Sequence, residues 1–236
     1  MSTGNGPVPA TRSYDARSRR TRAELERAAT HERVLAAARV RFLADGYTGT
    51  KMLDIAAEAG VAIASVYRSG NKAELIEMLL EQAATGRRPD QLQTFAALEP
   101  PRYPDIATEP DPDQQVRMIA DRIADSLDRM GALWTVLRDA ASVDTGAATT
   151  LRASLERRAA ALEVGVSLLP AHRLRTNPAD SVDTLWALSS PETYLMLRSL
   201  RGWSHHHYQD WLRQTLLVQL LTPATTPPRT PPTEEP

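Results

Sequence analysis

Between Lys51 and Tyr67 the chain gathers side chains suited to the edge of a polyanion. Lys51 opens a short helical pattern, where a cation opposes the helix dipole. A phosphate at that terminus would remove the conflict, since free backbone N–H groups and the ammonium would share one anion. Ala62, Ile63, Ala64 and Ser65 then form a run of small or apolar residues. A helix built from them can sink deep into a major groove, with Ile63 and the alanines on thymine methyls and Ser65 on a base edge or a phosphate. Tyr67 brings a ring to pack and a hydroxyl that can meet a phosphate. Each has a plainer reading as well: a solvated lysine, alanines that favour helix, a tyrosine at the rim of a core.

Other chemistry is thinly represented. His205-His206-His207 is the most conspicuous polar cluster, but adjacent histidines on a helix cannot all face one metal. Asp210 alone does not complete a cage. His172 follows Pro170 in a loop. The chain has no cysteine, which excludes disulfides, thiolate metal sites and cysteine nucleophiles. Glycine-rich phosphate loops, nucleophile elbows and paired-histidine helices are not found. The expectation is no enzyme, no metal and no cofactor.

The elements that position the first group are short helices. Val34, Leu35, Ala38 and Phe42 give one buried stripe, and Gly46 suits a left-handed cap after it. Thr50 is placed to cap a second helix whose apolar face is Met52, Ile55, Ala56 and Ala59. Gly60 allows a sharp turn, because only glycine takes positive φ without steric cost, and Val61 plugs beneath it. A third helix runs from Ala62 to Tyr67. Asn71 with Glu74 reads as a capping box opening a fourth. Three short helices about a glycine turn are the layout of a DNA-binding helix-turn-helix.

This stretch resembles the DNA-binding domain of the TetR family of transcriptional regulators. The resemblance rests on Gly46-Tyr47, Thr50, Ile55-Ala56, Ala59-Gly60-Val61, Val66-Tyr67 and Lys72 followed by Leu75, about a fifth of the chain. It implies phosphate contacts from Thr50, Tyr67 and Lys72, and groove contacts from residues 62–65 with Lys51. The chain departs from the family pattern twice. Ala62 stands where the family usually has serine or threonine, and the usual aromatic between Tyr67 and Lys72 is missing.

At 236 residues the chain can hold one large domain or two small ones, and its core can form without staples. Strand-like alternation is hard to find, so the fold class is all-α, with about nine or ten helices. A net charge of −1 excludes a bulk polycation, yet a DNA-binding face needs only local positive charge. Residues 1–28 read as a disordered basic arm, with Arg12, Arg17, Arg19, Arg20, Arg22 and Arg27 against Asp15, Glu24 and Glu26. Such an arm can enter a minor groove or track phosphates, or remain a solvated tail. No apolar run approaches a membrane span or a signal peptide, so a soluble, cytoplasmic protein is expected.

Residues 29–75 are assigned to the helix-turn-helix domain, 76–221 to a helical effector-binding and dimerisation domain, and 222–236 to a disordered proline-rich tail. Residues 86–113 read as irregular, with a short turn near Leu92–Leu98. A helix then starts at Asp111-Pro112-Asp113, with a separate short helix of Leu133, Val136, Leu137 and Ala140 after Gly131. A long helix carries Leu151, Leu155, Ala159, Leu162 and Val166 to Pro170. Pro178, Ser190-Pro191 and Ser204 each mark a further helix start.

The segment 185–216 resembles, more loosely, the C-terminal domain of actinobacterial-type TetR regulators. That resemblance implies an effector pocket, for which Met118, Arg122, Trp134, Leu137, Arg138 and Trp186 are candidates, though each also reads as ordinary core. The last helices are rich in large apolar residues that need a partner. Leu185, Tyr194, Leu197, Tyr208, Trp211, Leu212 and Leu216 are the expected homodimer interface. The resulting expectation is a homodimeric regulator, a repressor released from a palindromic operator on double-stranded DNA by a largely apolar small molecule. The alternative is a small-molecule-binding dimer whose DNA head has decayed.

Overall fold

The computed structural model describes residues 11–86 and 103–223. The Leu92–Leu98 turn, most of the proline-rich tail and residues 1–10 fall outside them. Among the described residues the secondary structure is helical, apart from one isolated bridge between Leu174 and Leu221. The helices are α1 (Thr11–Gly49), α2 (Met52–Ala59), α3 (Ile63–Ser69), α4 (Lys72–Thr85), α5 (Pro104–Ala107), α6 (Pro112–Ala140), α7 (Thr145–Ser167), α8 (Pro178–Leu188), α9 (Pro191–Leu195) and α10 (His205–Leu220). The expected all-α class holds.

The chain divides into two units. One takes the described residues of Met1–Ala96 with Ala132–Leu151, the other those of Ala97–Gly131 with Arg152–Pro236. The boundary expected between residues 75 and 76 lies inside α4, because that helix keeps a buried stripe of Leu75, Ile76, Leu79, Leu80 and Ala83.

In the first unit Val34, Leu35, Ala38 and Phe42 are buried as expected. Gly46 breaks the helical geometry of α1 with φ 69° and ψ 175°, a combination open only to glycine. The composition of residues 1–28 pointed to disorder, but α1 already runs from Thr11. Side chains from Glu24 to Ala29 are exposed, and Leu25 is 66% exposed, so local helix propensity and the pair Arg22–Glu26 at 3.1 Å act there without a core.

The second unit is built around Val116, Ala120, Leu127, Leu185, Leu212 and Leu216, with other apolar side chains packed against them. Asn177, Ser190 and Ser204 cap α8, α9 and α10 with their side-chain oxygens. Pro178 and Pro191 sit in first turns, where a missing N–H costs nothing. After α9 a π-helical turn covers Met196–Leu200 and ends near Gly202 at φ 67°.

The separate short helix expected after Gly131 does not exist, since α6 runs unbroken from Pro112 to Ala140. Gly131 is there for space. A Cβ at this position would lie 3.3 Å from Leu195 Cδ2 and 3.6 Å from Tyr194 Cε1. No described helix is long and apolar enough to cross a membrane.

Candidate functional site

The head is set by two turns. At the first, Gly60 is left-handed (φ 62°, ψ 41°), and the N–H groups of Gly60 and Val61 close the end of α2 on Ala57 and Ala56 carbonyls at 3.2 and 3.1 Å. Val66 is the buried anchor of α3. Val61, expected as the plug, is only half-buried. At the second, Asn71 Oδ1 accepts from the Ala73 and Glu74 N–H groups at 3.0 and 3.1 Å. The Asn71 N–H donates to Glu74 Oε2 at 2.7 Å, completing the expected capping box. Gly70 takes φ 144°, and a Cβ there would meet Glu74 Cβ at 3.1 Å and Met78 Cε at 3.2 Å. In the stretch between Tyr67 and Lys72, which lacks the aromatic of the family pattern, this glycine lets α4 approach closely.

These turns leave an exposed face. Ala62, Ile63, Ala64 and Tyr67 are exposed, Tyr67 by 58%, and Ser65 is half-buried with its hydroxyl 3.1 Å from Arg68 Nη2. The third helix starts at Ile63, with Ala62 as an N-cap that has no side-chain bond to offer. Lys51 stands at the N-cap of α2, one position earlier than expected, and is also exposed. Its backbone is extended, and it too makes no side-chain cap.

Two residues expected on that face are turned inward. Thr50 is 2% exposed, and its hydroxyl donates to the Gly46 carbonyl at 2.7 Å. It locks the turn that Gly46 begins, and neither caps α2 nor presents a hydroxyl to solvent. Lys72 Nζ donates to the carbonyls of Tyr47 and Thr50 at 2.9 and 3.3 Å and lies 4.4 Å from the Tyr47 ring centroid. A lysine with two bonds to backbone and a ring beneath it is a clamp on this corner. Tyr47 is buried, stacks on Phe42 at 5.8 Å, and donates its hydroxyl to Asp144 Oδ1 at 3.4 Å. Burial, with Asp144 beside it, pushes that phenol up to about 12.

The six residues expected to line an effector pocket do not share one unit. Trp134 and Leu137 are fully buried core of the first, where Arg138 is exposed beside Asp139. Met118, Arg122 and Trp186 belong to the second. Arg122 is exposed there, ion-paired with Asp105 and 5.2 Å from the Tyr103 ring. Residues 117 and 121 of α6 and 210, 213, 214 and 217 of α10 line an open cleft in that unit with Gln114. Arg213 spans it, with Nη2 2.8 Å from Asp121 Oδ2 and Nη1 2.9 Å from Asp210 Oδ1.

The expected dimer interface is largely internal. Leu185, Tyr194, Tyr208, Leu212 and Leu216 are buried within their own subunit, and only Leu197 and Trp211 are partly open. The apolar stripe of α10 is satisfied by α8 and the turns around it. The exposed apolar side chains of this region are instead Met196, Leu200 and Val218, Leu200 at 78%.

The sequence reading missed Arg158. Its guanidinium lies 4.1 Å from the Trp186 ring, and Nη2 donates to Trp186 O at 2.8 Å and Ser189 Oγ at 3.1 Å. The available signal was an arginine three residues after Leu155 and four before Leu162, on the inward stripe of α7. His205, by contrast, has Nε2 3.0 Å from Asp125 Oδ1, and His207 stacks on Trp203 at 3.9 Å. Each of these two histidines has its own neighbours.

The fold and head define a class: a helical protein with a helix-turn-helix at its N-terminal end and a larger helical body. Residues 34–79 match the model of the bacterial regulatory proteins of the tetR family, so this segment is similar to that family's N-terminal domain. Among solved structures, a transcriptional regulator from Saccharomonospora viridis in complex with choline is similar at TM-score 0.58 and 14% identity, covering 82% of this chain and 98% of that one. A TetR-family regulator from Rhodococcus sp. follows at 0.56 and 16%, covering 81% and 98%. FadR from Bacillus subtilis, in complex with stearoyl-CoA, stands at 0.56 and 11%, covering 79% and 97%. At these identities the likeness is one of fold. No match was found among curated proteins. The matched domain and these neighbours are those of transcriptional regulators, not enzymes.

Proposed function

We propose that this protein is a homodimeric DNA-binding regulator of transcription, acting in the cytoplasm as a repressor that a small-molecule effector releases from a palindromic operator. The observation that carries this reading is the exposed face formed by Lys51, Ala62, Ile63, Ala64, Ser65 and Tyr67 around the left-handed Gly60 turn. The two extended N-caps present backbone N–H groups with no side-chain competitor, which suits phosphate. The small side chains of α3 admit close approach to base edges. Thr50 and Lys72 support the face from behind.

A single short helix reads few bases, so specificity needs two heads about one helical turn apart. The partly open Leu197 and Trp211, with exposed Met196, Leu200 and Val218, support self-association through the last helices. The arginines of α1 that precede the head support further phosphate contacts. Molecules of two different chemistries, choline and stearoyl-CoA, are held in complexes of similarly folded proteins, so the fold does not fix the ligand. Whatever binds can weaken DNA affinity only through its preference for one conformation over another.

The test is selection of bound sequences from a random duplex pool, at two salt concentrations. A palindromic site whose affinity falls steeply with salt is expected. An unenriched pool from folded, ligand-free protein would favour the decayed-head alternative.

A further inference from the structure

The second unit holds a polar site that its own residues leave incomplete. Tyr208 is fully buried on α10, its ring edge-on to Tyr194 at 4.8 Å and 5.6 Å from Trp211. Its hydroxyl has no hydrogen-bond partner among the described residues. A buried hydroxyl left unpaired is costly, so native proteins supply a water or a ligand. Arg158 on α7 is close enough that the guanidinium and the phenol bias each other's protonation. Both of its hydrogen bonds come from Nη2 and go to neutral oxygens; Nη1 and Nε donate to no described residue. Leu185, Leu212 and the Trp186 ring supply apolar surface in the same unit.

We infer that Arg158 and Tyr208 form the head-group site for an apolar molecule ending in a carboxylate. The argument is one of matching hydrogen-bond types. The free groups are donors, and an ionised carboxylate only accepts. A cationic head would meet a like charge at the Arg158 guanidinium, on which Glu192 is the carboxylate that acts. Burial pulls Arg158 down to about 10, with Glu192 and Tyr208 acting against that, so the charge survives at neutral pH. Burial also pushes the Tyr208 phenol up, so it keeps its proton and remains a donor. The inference rests on the regulator reading only for its purpose, since binding can be measured without DNA.

Calorimetry on the full chain tests it with three probes of equal tail: octanoate, octan-1-ol and octylammonium. Octanoate should bind about ten-fold or more tighter than the other two. Arg158→Met should abolish that preference, and Arg158→Lys should restore part of it. Tyr208→Phe should weaken octanoate several-fold yet raise the melting temperature of the ligand-free protein, because it removes an unpaired hydroxyl. That last pairing keeps the test sound if Arg158→Met fails to fold. Equal affinities for the three probes, no binding of any, or unchanged octanoate affinity in Tyr208→Phe would overturn the site, the last leaving a buried water only. If octanoate binds as expected but leaves the affinity for a selected operator unchanged, the site stands and its regulatory role falls.

Discussion

The corner at Thr50 and Lys72 and the interior around Tyr208 treat their polar groups in opposite ways. At the corner, hydroxyl and ammonium are spent on backbone carbonyls, and the exposed face beyond it is left to Lys51, Ile63, Ala64 and Tyr67. In the interior, Tyr208 is sealed from solvent with its hydroxyl unspent, and Arg158 holds donors in reserve. The same residue types therefore carry different meanings. A polar side chain already bonded to its own backbone shapes a surface for something else, whereas a buried one without a partner is an open valence for hydrogen bonding.

The largest effect that probes this contrast should come from Trp134. If it is core, as its burial requires, Trp134→Ala costs about 3–5 kcal/mol in urea unfolding. A loss well under about 1 kcal/mol would return it to the list of pocket residues. Lys72→Ala should come next, destabilising the fold by about 1–3 kcal/mol through two lost bonds and a lost ring contact. A variant as stable as the parent but deficient in DNA binding would put Lys72 back on the phosphate. Thr50→Val should cost about 1 kcal/mol for the bond to Gly46, again read from the urea midpoint. Lys51→Ala should leave stability within about 0.5 kcal/mol and weaken binding to a selected operator, reducing the salt slope by about one. An unchanged slope would remove Lys51 from the interface.

A smaller effect concerns alkaline pH and both units together. Tyr47 and Tyr194 are each pushed up to about 12, first by burial and then by Asp144 and Asp128 respectively. Unfolded tyrosine releases its proton near pH 10. Stability from these groups is therefore whole below about pH 10 and lost as pH rises toward about 12, where the unfolded chain binds fewer protons. Urea midpoints at pH 9 and pH 11 should differ, and Tyr47→Phe or Tyr194→Phe should each shrink the difference.

Much of the helical architecture could be read from the chain. Periodicity marked the stripes of α1, α2 and α4, and Asn71, Pro178, Ser190 and Ser204 marked helix starts through local capping chemistry that depends on few neighbours. Direction was harder. Thr50 and Lys72 looked like surface residues because their types suit phosphate, and only the path of the chain from Gly46 to Asn71 turns them inward. Gly131 looked like a break, since a glycine needed for its missing side chain cannot be told from one needed for its backbone. For a related reason five of the seven expected dimer residues, all but Leu197 and Trp211, are buried within the chain itself. An apolar stripe announces burial, but not whether the cover is a neighbouring helix or a second subunit, and α8 already covers α10.

The two halves of α1 carry a kinetic consequence. One continuous helix includes a stretch from Glu24 to Ala29 with exposed side chains and another from Val34 to Phe42 with five of them in the core. Its backbone amides should accordingly exchange with deuterium on two clocks, the first set by fraying and the second by opening of the whole head. Contact with a long polyanion would slow the first clock and leave the second almost untouched, so that a single helix would report, in the lifetimes of its own protons, whether the arginines ahead of the head have found something to hold.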